Sequence, residues 1–297
     1  MIPTVYIVAG PTAVGKTAVA IELAQKLGTV IISADSRQCY KEMNIGVARP
    51  SANELAQVKH YFVDEYPITT NLSAADFEQI ALDYLYNLFN NYQSVVVCGG
   101  TGLYIKALCE GLDDMPPVDK YIDRQVEEEY EEKGIEWLQE SIKKEDPAFF
   151  AVGEIKNPVR MLRALSFIRS HGKSITVYRT QTKKNRPFRI VKVGLEMPRQ
   201  ELYDRINQRV DSMMANGLLK EAQQLYSNCN LKNLQTVGYV ELFDYLDNKC
   251  TLPEAIDKIK QHTRNYAKRQ LTWFKKDPEL IWFSPYKTGL IEEIMAL

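Results

Sequence analysis

Eight consecutive residues constrain this chain more than any other feature. They are Gly10-Pro11-Thr12-Ala13-Val14-Gly15-Lys16-Thr17, and they fit the pattern G-x-x-x-x-G-K-[ST]. Glycines at that spacing let the backbone turn so that its N–H groups converge on an anion. The flanks suit such a turn. Residues 4 to 9 are a short, mostly apolar run rich in β-formers, and residues 16 to 27 repeat Val19, Leu23 and Leu27 at helical spacing. A strand, a glycine-bounded loop and a helix N-terminus together make a phosphate cradle with positive potential behind it. Lys16 supplies a mobile charge for a terminal phosphate, and the Thr17 hydroxyl can ligate Mg²⁺. An ordinary tight turn is the competing reading, and the strand before and helix after weigh against it.

A phosphate-binding loop establishes only that a polyphosphate binds. Kinases, nucleotide hydrolases and diphosphate-releasing transferases all need one, so the rest of the site must discriminate. A second strand is expected at 30 to 34 and a third at 95 to 98, with another short one at 60 to 63. Helical segments are expected at 74 to 90 and 102 to 110. Alternating strand and helix predicts an α/β fold with a parallel sheet and right-handed crossovers. Ligands of such sheets bind beyond the carboxyl ends of the strands. Asp35, just past the second strand, is therefore directed at the crevice of the phosphate loop, where it could accept a proton from a nucleophile. The competing role for an Asp-Ser pair is a turn or helix cap. The third strand ends in Gly99-Gly100-Thr101-Gly102. These glycines would permit close approach to a ligand, and Thr101 offers a hydroxyl; a plain strand-to-helix turn is the alternative.

The composition shifts beyond Met115-Pro116-Pro117. Residues 119 to 146 hold eleven acidic and five basic side chains in a helical pattern. Residues 156 to 192 then carry eleven Lys or Arg and no acid, and 260 to 276 carry six without an acid, interleaved with Tyr266, Trp273 and Phe274. Basic stripes with aromatics suit RNA phosphates and unpaired bases. A solvated helix face is the usual explanation of a charge run, but such faces normally mix both signs. The expected organisation is a core of 1–113 and 187–297 interrupted by a mainly helical insertion, 114–186. A strand over 189 to 195 returns to the sheet, and the remainder reads as helical with a loop near 228 to 233. The five cysteines are odd in number and lack C-x-x-C spacing, which argues against a disulfide framework or zinc site. His60, His171 and His262 are scattered without ligand spacing. No basic leader precedes the first strand, and no apolar run nears the ~20 residues a membrane span needs. A cytoplasmic protein without membrane association is the expectation.

At this point the residues resemble a known family, the tRNA dimethylallyltransferases (tRNA isopentenyltransferases). The matching segments are the loop 10–17, Asp35-Ser36-x-Gln38-x-Tyr40, Met43-x-Ile45-Gly46 and Gly99-Gly100-Thr101-Gly102-Leu103-Tyr104. Further on come Arg163-Ala164-Leu165, Gly238-Tyr239 and the stretch from Thr263 to Phe274. The resemblance is to the bacterial form, with Pro158-Val159-Arg160 standing where relatives carry Pro-Gln-Arg. It implies a P-loop NTPase-like core and a dimethylallyl diphosphate donor rather than ATP. The acceptor would be the exocyclic amine of the adenine beside the anticodon, with diphosphate as leaving group and Mg²⁺ as cofactor. Asp35 would take the proton, with Thr101 beside the reacting group. Lys16, Thr17 and the loop amides would hold the diphosphate, helped by an arginine of Arg205-x-x-x-Arg209, with Arg209 favoured. The tRNA contacts implied are Asp35, Ser36, Arg37, Gln38, Thr101, Arg124, Val159, Arg160, Met161, Leu162 and Arg163. The insertion would grip the anticodon arm, and a monomer is expected. A small-molecule kinase and a prenyltransferase acting on free adenylate are the rivals; neither explains the two acid-free basic stretches.

Overall fold

Unbroken apolar runs become central strands when both faces of a sheet are covered. The computed structural model, which describes residues 2–180 and 182–297, puts them there. The first half of the chain runs β1 (Thr4–Ala9), α1 (Lys16–Leu27), β2 (Ile31–Ser33), α2 (Ala52–Gln57), β3 (His60–Tyr61), α3 (Ala74–Leu88), β4 (Ser94–Gly99) and α4 (Gly102–Glu110). Then come α5 (Lys120–Glu145), α6 (Pro147–Val152), α7 (Pro158–His171) and α8 (Ile175–Tyr178). The remainder is β5 (Arg189–Leu195), α9 (Arg199–Ala215), α10 (Leu218–Leu225), α11 (Tyr239–Leu246), α12 (Leu252–Phe274), β6 (Ile281–Phe283) and α13 (Leu290–Ala296). The strands pair in the order β3-β2-β4-β1-β5-β6, all parallel.

Side chains of β1 alternate between two cores. Val5, Ile7 and Ala9 pack with α3, α4 and the helices α10 to α12, whereas Tyr6 and Val8 pack with α1 and α13. The β1, β2 and β4 strand ends thus converge, and the loops that follow each of them form the site. Two elements were not legible beforehand. β6 has only three residues, too few for a periodicity to register, and α2 is a six-residue helix held by a Ser51/Glu54 capping box. The loop expected near 228 to 233 contains two single 3₁₀ turns, Tyr226–Asn228 and Lys232–Leu234.

The chain divides into two compact units, Met1–Glu110 with Asn185–Leu297, and Gly111–Lys184. The second is all helical among its described residues and has its own core, built on Val126, Leu138, Ile142, Phe149, Leu165 and Phe167. Its acidic helix α5 breaks at Gly134, whose φ of 77° and ψ of −169° are not helical. Met161 is fully buried in that core, so its side chain packs the insertion; the expected role at tRNA does not hold for it.

The acid-free run 156–192 is also less of a positive surface than its sequence suggests. Arg169 pairs with Glu129 at 2.6 Å and Glu145 at 2.8 Å, and Lys184 pairs with Asp114 at 3.0 Å. Arg186 meets Glu78 at 2.7 Å, and the buried Lys192 meets Asp277 and Glu279 at 2.9 and 2.8 Å. The neutralising acids come from distant segments. Arg160, Arg163 and Arg179 are the exposed arginines that stay close together. Arg179 is depressed below the usual guanidinium range, first by partial burial and then by the positive charges of Arg163 and Arg160.

Candidate active site

The loop between β1 and α1 turns through left-handed backbone at Gly15 (φ 103°) and at Ala13 (φ 66°). Its first glycine, Gly10 (φ 148°), sits against β5, where a Cβ would lie 2.7 Å from the Leu195 carbonyl. Backbone of this kind lets successive amides turn toward one anion ahead of α1. Lys16 Nζ donates to the Pro11 carbonyl at 2.7 Å and so lies folded over the loop. Burial pulls the Lys16 ammonium down to about 8; the neighbouring Arg209 charge also lowers it, while Asp35 raises it. Arg209 and Asp35 thus lie near enough for their charges to act on Lys16.

Asp35 makes the turn weighed for it and also reaches the cavity. Its Oδ1 accepts from the amides of Arg37 (2.9 Å) and Gln38 (3.3 Å), an Asx turn that fixes the carboxylate. It also lines a cavity of about 220 Å³ with Thr12, Ser36, Arg37 and Arg209. The rest of the lining is largely apolar, with Ile206, Val210, Met213, Leu218, Val237 and Ile259. The cavity therefore combines charged groups with apolar surface that suits a small hydrocarbon.

The two arginines of α9 separate here. Arg209 lines the cavity, and its Nη1 donates to Thr12 Oγ1 at 3.3 Å. Burial, the largest effect, lowers its pKa, and the Asp35 charge opposes that. Arg205 donates instead to the Tyr286 hydroxyl at 2.7 Å, on the solvent side of the loop. Thr101 Oγ1 accepts from the Ser36 amide at 3.1 Å, which ties the β4 turn to the Asp35 turn. Gln38 turns inward: it accepts from Ser33 Oγ at 3.2 Å and donates to Val47 O and Ala48 O at 3.3 and 3.0 Å, bracing a loop that lines the cavity.

The glycines after β4 have a different purpose from the one expected. A Cβ on Gly99 would meet Ala34 O at 2.2 Å, one on Gly100 would meet Gln270 Nε2 at 2.3 Å, and one on Gly102 would meet Trp273 at 2.2 Å. The crowding comes from the protein's own groups rather than from space for a ligand. Sequence reasoning also missed the contribution of α12 to the cavity. Ile259, Thr263 and Tyr266 recur at spacings of four and three, so one helix face looks inward. Burial raises the Tyr266 hydroxyl to about 12, with the nearby Asp35 carboxylate adding to the shift. That spacing was visible in the sequence, but the basic residues between those positions drew attention to the opposite face.

Of the expected RNA contacts outside the cavity, Arg160 and Val159 are exposed on the first turn of α7, Arg163 is exposed one turn on, and Leu162 is half-buried. Arg160 pairs with Glu154 at 2.5 Å and Arg124 with Glu128 at 2.8 Å, both at the surface. Such pairs are weak and exchangeable. On α12, Lys260 meets Asp211 and Lys275 meets Glu196, each at 2.6 Å. Thr17 stands in the first turn of α1. Among the described residues no three His, Cys, Asp or Glu side chains gather as a metal site, and no helix is long and apolar enough to cross a membrane.

Comparison with known proteins agrees with this geometry. The family model for IPP transferases matches residues 38–277. The chain is 46% identical over 295 residues to tRNA dimethylallyltransferase 1 of Bacteroides thetaiotaomicron, covering 99% of this chain and 96% of that protein. It is 48% identical over 274 residues to tRNA dimethylallyltransferase of Christiangramia forsetii, covering 92% and 91%. The crystal structure of the full-length tRNA isopentenylpyrophosphate transferase of Bacillus halodurans superposes with a TM-score of 0.72 at 36% identity, covering 100% of this chain and 94% of that one. A family model spanning residues 38–277 and similarity at this level over nearly the whole length lead to one conclusion: the chain belongs to the tRNA dimethylallyltransferase family.

Proposed function

We propose that the protein transfers a dimethylallyl group from dimethylallyl diphosphate to the N6 amine of the adenine 3′-adjacent to the anticodon in tRNA, releasing diphosphate. The observation that carries this reading is the cavity that Asp35, Arg209 and Thr12 of the phosphate loop line together with the apolar side chains of Val210, Met213, Leu218 and Ile259. A kinase needs the cradle but not the hydrocarbon wall.

The N6 nitrogen forms its bond to the allylic carbon as the carbon–oxygen bond to diphosphate breaks and the electron pair leaves with the oxygen. Charge builds on the departing diphosphate, where the loop amides, the Lys16 ammonium and Arg209 stabilise it. Asp35, held by the amides of Arg37 and Gln38, orients the amine and accepts its proton. An exocyclic amine is a weak nucleophile, so much of the acceleration comes from position. Inside a folded anticodon loop the base must be extruded to reach the cavity.

Mg²⁺ fits the donor set. Thr17 offers one hydroxyl beside the loop, so a hard cation held there would take most of its ligands from diphosphate and water. Bound there, it would neutralise leaving-group charge. The exposed arginines Arg160, Arg163 and Arg179 of the insertion suit RNA phosphates, as do Lys268 and Arg269 of α12 and Lys276 just beyond it, which make no ion pair among the described residues. Arg124, Val159 and Leu162 remain assigned to RNA contact, with Ser36 and Arg37 at the base itself, whereas the inward hydrogen bonds of Gln38 make it a brace of the cavity loop.

The test is transfer of carbon label from dimethylallyl diphosphate into tRNA, run beside free AMP and beside γ-labelled ATP. Label is expected in tRNA alone. Label in AMP would support the free-nucleotide prenyltransferase, and phosphoryl transfer from ATP the kinase.

A further inference from the structure

The two halves of the site come from different loops, so something must hold the phosphate loop and the β4 turn at a fixed separation. Gln270 lies on the cavity face of α12, continuing the spacing of Ile259, Thr263 and Tyr266, and is 6% exposed. Its Oε1 accepts from the Thr12 amide at 2.8 Å, and its Nε2 donates to the Gly100 carbonyl at 2.9 Å. The amide orientation is unambiguous, because one neighbour can only donate and the other can only accept. Both ends of the side chain are committed, and neither partner is on its own helix.

Each partner leads directly to a reacting group. Thr12 receives Arg209 through its hydroxyl at 3.3 Å, so one end of Gln270 bears on the diphosphate clamp. Gly100 immediately precedes Thr101, whose Oγ1 accepts from the Ser36 amide beside Asp35, so the other end bears on the adenine side. The fit is tight: a Cβ on Gly100 would lie 2.3 Å from Gln270 Nε2. Removing the side chain would leave a part-buried N–H and a buried carbonyl without partners, and both loops would relax to find others.

We infer that Gln270 is a positioning residue for the transfer reaction: it spans the two loops and sets the distance between the diphosphate cradle and the Asp35–Thr101 side of the cavity. The inference rests on the functional reading above. It assigns the acid-free α12 stretch a second purpose, distinct from the exposed cations between its inward positions. Gln270 does not touch the reacting atoms; it acts through Thr12 and Gly100.

Two variants of the full-length protein test it. Gln270→Met keeps the volume and removes both hydrogen bonds. Gln270→Glu keeps an acceptor for the Thr12 amide but turns an oxygen toward the Gly100 carbonyl. Single-turnover transfer to tRNA at saturating donor should fall on the order of 10- to 100-fold in both, the scale of a misplacement of about 1 Å. The tRNA dissociation constant should stay within about twofold, because no RNA-facing group is changed. A rate within about threefold of the parent in both variants overturns the inference. So does a parallel loss of rate and tRNA affinity, or failure of both variants to fold, since either makes the residue a support of the fold in general. Absence of transfer by the parent protein would instead refute the functional reading and is scored separately.

Discussion

Replacing Glu221 by glutamine changes one atom of a side chain far from the phosphate loop, yet the structure predicts a measurable effect on both stability and donor binding. Glu221 lies on α10 and is 9% exposed. Its Oε2 accepts from the amides of Asn44 (3.2 Å) and Ile45 (2.8 Å), and its Oε1 accepts from the Gly46 amide (2.9 Å) and the Tyr239 hydroxyl (2.7 Å). Three successive amides thus close on one carboxylate and fix the segment that continues into Val47 and Ala48 of the cavity wall. Glutamine has one oxygen. Its best placement keeps that oxygen on Asn44 and Ile45, sets the NH₂ against Tyr239, whose hydroxyl can rotate to accept, and leaves the Gly46 amide unpaired. One orphaned buried donor costs roughly 1–3 kcal/mol, and neutralising the acceptor weakens the remaining bonds. Relief of the desolvated charge offsets part of this, so the net is about 3 kcal/mol. For a protein of this size that is a fall of roughly 5 °C in melting temperature. The assays are calorimetry and initial rates at varied donor: the melting temperature falls and donor KM rises several-fold, as the freed loop blurs the cavity wall. Tyr239→Phe is the control, because it removes one bond and leaves all three amides satisfied; it should cost about 1 kcal/mol. A Glu221→Gln protein melting within 2 °C of the parent, or no less stable than Tyr239→Phe, would refute the reasoning.

Other substitutions and conditions probe the chemistry and the RNA grip. Asp35→Asn retains an oxygen for the Arg37 and Gln38 amides, so the turn should survive while the base is lost; turnover should fall roughly 10²- to 10⁴-fold with tRNA affinity unchanged, and unaltered turnover would remove Asp35 as the base. Lys16, lowered to about 8 by burial, carries its charge below that pH and loses it above. Donor kcat/KM should therefore fall as pH rises past 8, by up to about tenfold per unit, and a profile flat to pH 10 would contradict the assignment. Alanine at both Arg163 and Arg179 should weaken tRNA binding and reduce the slope of log K against log salt by roughly one to two; an unchanged slope would dissociate this arginine cluster from phosphate contact.

The phosphate loop, its strand and its helix were legible because local chemistry specifies them: an apolar run, two glycines and a helical repeat lie within 24 residues. Asp35 followed from its place at a strand end. What escaped detection depends on long-range contact. The Gln270 bridge joins positions separated by 258 and 170 residues, which no window along the chain can register. The acid-free run misled for the same reason, since the acids that neutralise Arg169, Arg186 and Lys192 are Glu129 and Glu145, Glu78, and Asp277 and Glu279. Met161 was placed at the RNA by its neighbours in sequence, but on a helix its side faces the core while Arg160 and Arg163 face solvent. Arg205 and Arg209 share a helix face, and only the depth of the cavity separates their roles.

The central claim is that the diphosphate cradle and the Asp35 carboxylate act on opposite sides of one allylic carbon. The most direct measurement is a structure of the protein with tRNA and an inert donor analogue. The account predicts the diphosphate on the amides and side chains of residues 15–17 with Arg209, the hydrocarbon against Val210, Met213 and Leu218, and the adenine N6 within hydrogen-bond reach of Asp35, in line behind the carbon–oxygen bond. An adenine amine bound on the phosphate side of the donor, or beyond reach of Asp35, would contradict it.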